Sequence, residues 1–240
     1  MYIDRFMLAN ADDERDFFVS GGTTMGSFSP DKSILPFGVF PRLGLSKMEL
    51  SDVTLFCGGS NTAKTLLLRL IALKLGVGES LFDKPRYFDD YCRLSTFRYV
   101  DFNIKSFPCE IITKSQNNTY TSKRYESLEK DDIWSVVQLY ENIIEQPALY
   151  LLEEPDSGMS LSEQIELACI IHDAVKYYGA QFIITTNSPV LLGIKRSLIY
   201  DFDSTPILPC TWSSSAYSKA FAEFCCDLKE EHNRKKIRTK

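Results

Sequence analysis

The sequence contains no CxxC pair. Its seven cysteines are scattered and odd in number, so neither a zinc site nor a disulfide framework is indicated. Cys225 and Cys226 are neighbours and do not readily bridge. Reduced thiols, as in the cytoplasm, are the simplest reading. Long hydrophobic runs are missing as well, since none approaches the ~20 apolar residues of a membrane-spanning helix. The opening MYIDRFMLANADDERDFF carries acidic residues early and lacks a signal-peptide pattern, so a cytoplasmic protein is expected. There is no internal repeat and no low-complexity tract. Positive charge is not in excess: the formal net charge is −5, which weighs against a dedicated nucleic-acid binder. Histidine is scarce. His172 is expected as a packed core residue on a helix stripe, and His232 sits in a charged stretch that needs no role.

What remains is ordinary globular composition, 44% hydrophobic and 25% charged over 240 residues. That length suits one α/β domain, with or without a small insertion, and allows a core that needs no staples. The informative stretch is residues 53–71. An apolar, β-branched run from Val53 to Cys57 enters a turn of small residues, and the apolar helical run Leu66 to Leu75 follows. Strand, tight turn and helix in that order make a phosphate cradle: turn amides and a helix N-terminus face an anion, and a lysine reaches over it. The expected motif is G-x-x-x-x-G-K-[S/T]. This chain has Gly58, Gly59, Ser60, Asn61, Thr62, Ala63, Lys64 and Thr65. Lys64 would meet the outer phosphates, and Thr65 would offer its hydroxyl to magnesium. The plainer alternative is a Gly-Ser turn before a core helix. A lysine in the first turn opposes the helix dipole, which favours the anion.

Along the chain, residues 1–8 read as a first strand and Asp12–Asp16 as a solvated loop. Residues 20–36 read as loop, and Phe37–Phe40 as at best an edge strand between prolines. The helix at 64–75 should stop at Gly76 and Gly78. Residues 80–146 read as a reduced, partly helical insertion, with helical spacing over Ile133–Ile144. Ala148–Leu152 is a second apolar strand running into Glu153 and Glu154. Ser160 and Glu163 form a capping box for a helix ending at Gly179. Its inward stripe is expected to be Ile165, Ala168, Cys169, His172 and Val175. Strands at 181–185 and 198–202 flank a short helix at 190–193, and residues 216–232 read as a last helix before a frayed basic tail. Strands separated by helices imply a mostly parallel sheet covered on both faces. Ligands of such sheets sit beyond the carboxyl ends of the strands. There Glu153 could hold magnesium and Glu154 could polarise a water. Taken alone, those two carboxylates would be a solvated pair.

Three stretches together carry a resemblance. VTLFCGGSNTAKTLLLRLIA resembles the phosphate loop, ALYLLEEPDSGMSLSEQ the "LYLLDEPE-x-x-LS-x-x-Q" block, and QFIITTNSPVLL the "QFIIATHSPxLL" switch of the ABC-type, SMC-like branch of P-loop ATPases. Within that branch the chain is similar to small stand-alone bacterial AAA family ATPases. The match is good over 50–75 and 147–232, moderate before residue 50 and poor between. It implies a P-loop NTPase, ABC-ATPase-like fold of α/β class. The mostly parallel central sheet would be flanked by helices, with an N-terminal antiparallel β portion. It implies ATP and Mg²⁺ as cofactors. Glu153 would take the magnesium acid's place beside Thr65, Glu154 the catalytic glutamate's, and Asn187 that of the switch histidine. It also implies dimerisation through the nucleotide face, with a like or unlike partner. An effector protein partner, and DNA by analogy with SMC-like heads, are further implied partners.

The chain departs from that pattern in four places. Ala63 replaces a glycine and adds a Cβ where backbone must approach phosphate. Glu153 replaces an aspartate and is longer by one C–C bond, about 1.5 Å, against a productive tolerance of about 0.5 Å. Asn187 replaces a histidine and cannot take a proton at neutral pH. ESLEKDDIW at 126–134 lacks the signature loop, and Gln116 is only a weak stand-in for the Q-loop glutamine. Three readings follow: an ATP-binding subunit with weak or lost hydrolysis, a working ATPase, and an interaction module for a neighbouring effector. Phe37 or Phe40 could stack on adenine.

Overall fold

The computed structural model describes residues 2–20, 36–59, 63–75, 91–96, 109–114, 120–121, 136–144 and 147–238. In chain order the elements are β1 (Ile3–Leu8), α1 (Ala11–Ser20), α2 (Val39–Arg42), β2 (Lys47–Glu49), β3 (Val53–Cys57) and α3 (Lys64–Lys74). Then come β4 (Cys92–Thr96), β5 (Cys109–Lys114), β6 (Tyr120–Thr121), α4 (Val136–Ile143), β7 (Leu149–Glu153) and α5 (Leu161–Asp173). The chain closes with β8 (Gln181–Thr185), α6 (Pro189–Leu192), β9 (Leu198–Asp201), β10 (Pro209–Cys210) and α7 (Ala216–Arg238).

Seven strands form the central sheet in the order β10-β9-β3-β8-β7-β5-β6. The five inner strands run parallel, and β10 and β6 close the edges antiparallel. A separate antiparallel sheet, β2-β1-β4, comes largely from the N-terminal part. This is the expected α/β class with its antiparallel portion. Segment 80–146 supplies strands to both sheets as well as the helix α4.

The inner strands are apolar throughout because both sheet faces are covered. Alternate side chains point to opposite faces. Phe56, Leu149, Leu151, Ile183 and Tyr200 pack with α3 and the small sheet. Leu55, Tyr150, Leu152, Phe182, Ile184 and Ile199 pack with α4, α5 and α6. Two polar side chains fasten the small sheet to the large one. Gln181, 0% exposed, accepts the N–H of Tyr2 at 2.6 Å and of Ile3 at 2.9 Å. Its amide donates to the carbonyls of Ile3 at 2.7 Å and Ser51 at 3.0 Å. The Tyr200 hydroxyl exchanges hydrogen bonds with both backbone groups of Glu49.

Several expectations need correction. Asp12–Asp16 is helix, not loop. Asn10 Oδ1 accepts the N–H groups of Asp12 and Asp13 at 2.8 and 3.0 Å, and Asp13 returns a bond to the Asn10 N–H. That is a reciprocal N-cap, and acidic residues suit a first turn. Residues 37–40 form a turn entering α2 rather than an edge strand, and Gly38 there is left-handed at φ 70°. The Ser160–Glu163 capping box is present as expected, but α5 turns another face inward. Leu167, Ile171 and Ala174 are buried, whereas Ile165, Cys169 and His172 are exposed. His172 is therefore a surface residue beside Asp173, at 3.3 Å, and not a core histidine. Beyond α5 the chain widens into a π-helical turn, Ala174–Tyr178, which the left-handed Gly179 (φ 66°) ends. Helix α7 continues to Arg238, through the expected frayed tail.

Glu14 shows how the small sheet's flank is held. It is buried, and it accepts the Gly38 N–H at 3.1 and 2.9 Å and the Tyr91 hydroxyl at 3.2 Å. Burial nonetheless raises its pKa above 4.5. A carboxylate with a raised folded pKa lowers stability as pH climbs from the unfolded value through the folded one. Glu14→Gln keeps the acceptor and drops the charge. Its stability relative to the native chain is expected to be more favourable at pH 7 than at about pH 4, as measured by urea unfolding at both.

Candidate functional site

The carboxyl ends of β3, β7, β8 and β9 gather the site. β8 lies between β3 and β7, with Thr185 level with both Phe56 and Glu153. Segments far apart in sequence thus meet beyond one edge of the sheet.

β3 runs into Gly58 and Gly59, and α3 starts at Lys64. Strand and helix therefore stand where the sequence places them. Ser60, Asn61 and Thr62 lie outside the described residues. Gly58 has φ 131°, a conformation that a side chain would strain. Lys64 is only 4% exposed. Its Nζ donates to the carbonyls of Gly58 and, at 2.8 Å, of Gly59. Burial lowers its pKa, and the nearby carboxylates of Glu154, Asp203 and Asp201 oppose that shift. The lysine thus folds back over the two glycines that precede it, with its ammonium held by their carbonyls. Ala63 is the residue just before α3, without a side-chain cap. Cys57, the last residue of β3, is buried beside Asp201, and its thiol is pushed up to about 12. It is an inert thiol.

Thr65 lies in the first turn of α3, with Arg69 one turn on along the same face. Arg69 Nη2 stands 3.4 Å from Glu153 Oε2. Arg69 thus ties the middle of α3 to the end of β7. Glu153 already has a cationic neighbour. Among the described residues no cluster of three or more His, Cys, Asp or Glu side chains forms a metal cage. Magnesium does not need one, because it keeps waters and shares phosphate oxygens. Thr65 and Glu153 are the side chains that would share such an ion, with Glu153 also beside Arg69.

Glu154 is exposed and has φ 45°, left-handed for a residue with a side chain. Its N–H is shared between the Thr185 carbonyl at 2.9 Å and hydroxyl at 3.1 Å. Asn187, expected in the place of the switch histidine, accepts the Gly58 N–H on Oδ1 at 3.1 Å. Tyr217 of α7 donates to the Asn187 carbonyl at 2.5 Å. The structure therefore brings Gly58, Gly59, Lys64, Asn187, Glu153 and Glu154 to one end of the sheet. Phe40 is wholly buried in the core and cannot stack on a base. Phe37 meets Tyr91 edge-on at 5.2 Å. Gln116 and residues 126–134 lie outside the described residues.

Sequence reasoning missed three features. One is Arg69, which the four-residue step from Thr65 could have revealed. Another is a polar chain joining the loop after β7 to α5. In it the Thr186 hydroxyl donates to Asp156 at 2.6 Å and accepts the Ser188 N–H at 2.9 Å. Ser188 Oγ caps α6 and donates to Gln164 at 2.7 Å. Burial raises the pKa of Asp156 in that chain. The third is Asp203, in the acidic turn after β9, whose carboxylate accepts the Gly59 N–H.

Fold and site together define an α/β domain that presents a glycine turn and a buried lysine beyond its parallel strands. No family model matches the chain, and no curated protein matches it. Among solved structures it is similar to the SMC head domain from Thermotoga maritima, at 12% identity and TM-score 0.45, over 88% of this chain and 99% of that one. It is also similar to a metal-chelate type ABC transporter in an inward-facing conformation, at 12% identity and TM-score 0.38, over 69% of this chain and 75% of that one. No helix among the described residues is long and apolar enough to cross a membrane.

Proposed function

We propose that this chain is an ATP-binding domain of the ABC-type, SMC-like P-loop class in which hydrolysis is weak or lost, and that it works as a regulatory or scaffold subunit. The observation that carries the binding half is Lys64, buried at the start of α3 and hydrogen-bonded over the Gly58–Gly59 turn. Two carbonyls hold this ammonium without removing its charge, and a polyphosphate is the ligand whose charge would suit it at a helix N-terminus. Lys64 and the turn amides from Gly58 to Thr65 would hold the phosphates. Thr65 and Glu153 would hold magnesium, whose role when bound is to neutralise charge on the phosphate oxygens.

Support for lost hydrolysis comes from the surrounding groups. Glu153 faces the Arg69 guanidinium. Asn187 has its side-chain oxygen engaged by the turn and cannot take up a proton at neutral pH. Ala63 brings a methyl group to the turn. Binding tolerates the loss of a hydrogen bond or two at roughly 1–3 kcal/mol each. Hydrolysis needs all the groups aligned together. Pairing with a like or unlike partner through the nucleotide face, and service to an effector protein, belong to the same proposal.

One observation favours a working Mg²⁺-dependent ATPase instead. The left-handed backbone of Glu154 costs about 1–3 kcal/mol, and such strain collects at functional sites. Calorimetry with Mg-ATP, Mg-ADP and a non-hydrolysable analogue, beside a steady-state phosphate-release assay, separates the readings. Binding without turnover is expected. Turnover abolished by Lys64→Ala would establish the working ATPase. The absence of any nucleotide binding would leave an interaction module.

A further inference from the structure

The turn after β9 is built to hold one carboxylate in place. The Phe202 side chain is buried, its ring lies 5.6 Å from that of Phe56, and its N–H donates to the Cys57 carbonyl at 2.9 Å. Asp201 Oδ1 accepts the Asp203 N–H at 3.0 Å, and Ser204 Oγ donates to the Asp201 carbonyl at 2.8 Å. Side-chain-to-backbone bonds of this kind fix a turn locally. Asp203 then meets the Gly59 N–H with both oxygens, at 2.8 and 2.9 Å. The contact depends on Gly58. A Cβ there would lie 3.1 Å from Phe202 Cβ and 3.2 Å from both the nitrogen and Oδ1 of Asp203. The missing side chain at position 58 therefore lets the two turns touch.

We propose that Asp203 is a built-in competitor for the phosphate turn: its carboxylate holds the Gly59 amide closed until a nucleotide polyphosphate displaces it. The inference rests on the nucleotide reading given above and adds a regulatory residue to that site. Carboxylate and phosphate oxygens are alternative acceptors for the same donor, and they repel one another. A competitor tethered through a short turn acts at an effective concentration of about millimolar. The apparent affinity is the intrinsic affinity multiplied by the fraction of molecules in which Asp203 has released the Gly59 amide. The chain thus carries its own brake, set by how firmly the turn from Asp201 to Ser204 presents Asp203.

The test compares native protein, Asp203→Ala and Asp203→Asn by calorimetry with Mg-ATP and with inorganic tripolyphosphate. Thermal unfolding serves as the check on folding. Asp203→Ala is expected to bind both ligands about tenfold more tightly, a change equivalent to 1.4 kcal/mol. Asp203→Asn should fall between, because its amide oxygen still accepts from Gly59 but carries no charge. Should Asp203→Ala fail to fold, the Asn variant decides on the same criterion. Binding by the variants that equals or falls below the native value overturns the inference and leaves the nucleotide reading standing. Binding by neither native protein nor variants overturns both. Binding by Asp203→Ala where the native chain shows none supports the inference in its strongest form.

Discussion

Lys64→Ala is expected to lower Mg-ATP affinity by about 100-fold or more, because removing one partner of a buried, hydrogen-bonded charge pair costs about 2–5 kcal/mol. The ammonium is fixed before any ligand arrives, since the carbonyls of Gly58 and Gly59 hold it at the base of the turn. Little ordering cost is then left to meet on binding. Lys64→Met is the sharper companion. It keeps the apolar stem beside its buried α3 neighbours Leu67 and Leu68 and removes only the charge. Affinity should fall as far in Met as in Ala, with stability better kept in Met. Calorimetry alongside thermal unfolding checks both. Equal ATP affinity in native protein and Met variant would show that the lysine is only a structural clasp.

Gln181→Leu is expected to cost about 3–5 kcal/mol of stability, near the upper end for a single substitution. Leucine conserves the approximate bulk, but the N–H groups of Tyr2 and Ile3 and the carbonyls of Ile3 and Ser51 lose the side chain they share. Each buried polar group left unmet costs about 1–3 kcal/mol. For a chain of this length the midpoint of thermal unfolding should drop by roughly 10 °C or more. Gln181→Glu should do no better, because a carboxylate brings a buried charge and has no donor for the two carbonyls. Urea unfolding measures the free energy. A loss below about 1 kcal/mol, the net worth of one ordinary hydrogen bond, would mean that Gln181 does not carry the join between the two sheets.

The large sheet was legible because its strands are buried on both sides and so are apolar without interruption. Val53–Cys57 and Gln181–Thr185 fall where the sequence places them. The capping box at Ser160 was legible for a similar reason, since both of its residues lie within one turn. The misreadings share another cause: the deciding contacts come from distant sequence or from an overlooked cap. Asn10 turned an acidic stretch into α1. On α5, the apolar residues Ile165 and Leu167 could each have defined the inward face, and only the packing of α6 and β8 chooses Leu167.

The site divides in the same way. Its glycines, lysine and strand-end carboxylates announce themselves by order along the chain. Their pairings do not. Asn187 reaches Gly58 across 129 positions and Asp203 reaches Gly59 across 144. Only the sheet order, with β8 and β9 on either side of β3, makes those contacts possible.

β8 is held at both of its ends. Gln181 at its start grips the backbone of Tyr2 and Ile3, and Asn187 just past its finish accepts the Gly58 N–H. The rest of the strand, Phe182 to Thr185, and then Thr186 separate the two grips. A label or fusion placed just ahead of Tyr2 therefore pulls on the far end of the strand whose finish meets Gly58. For binding measurements a tag is better placed beyond α7 (Ala216–Arg238), away from Tyr2 and Ile3.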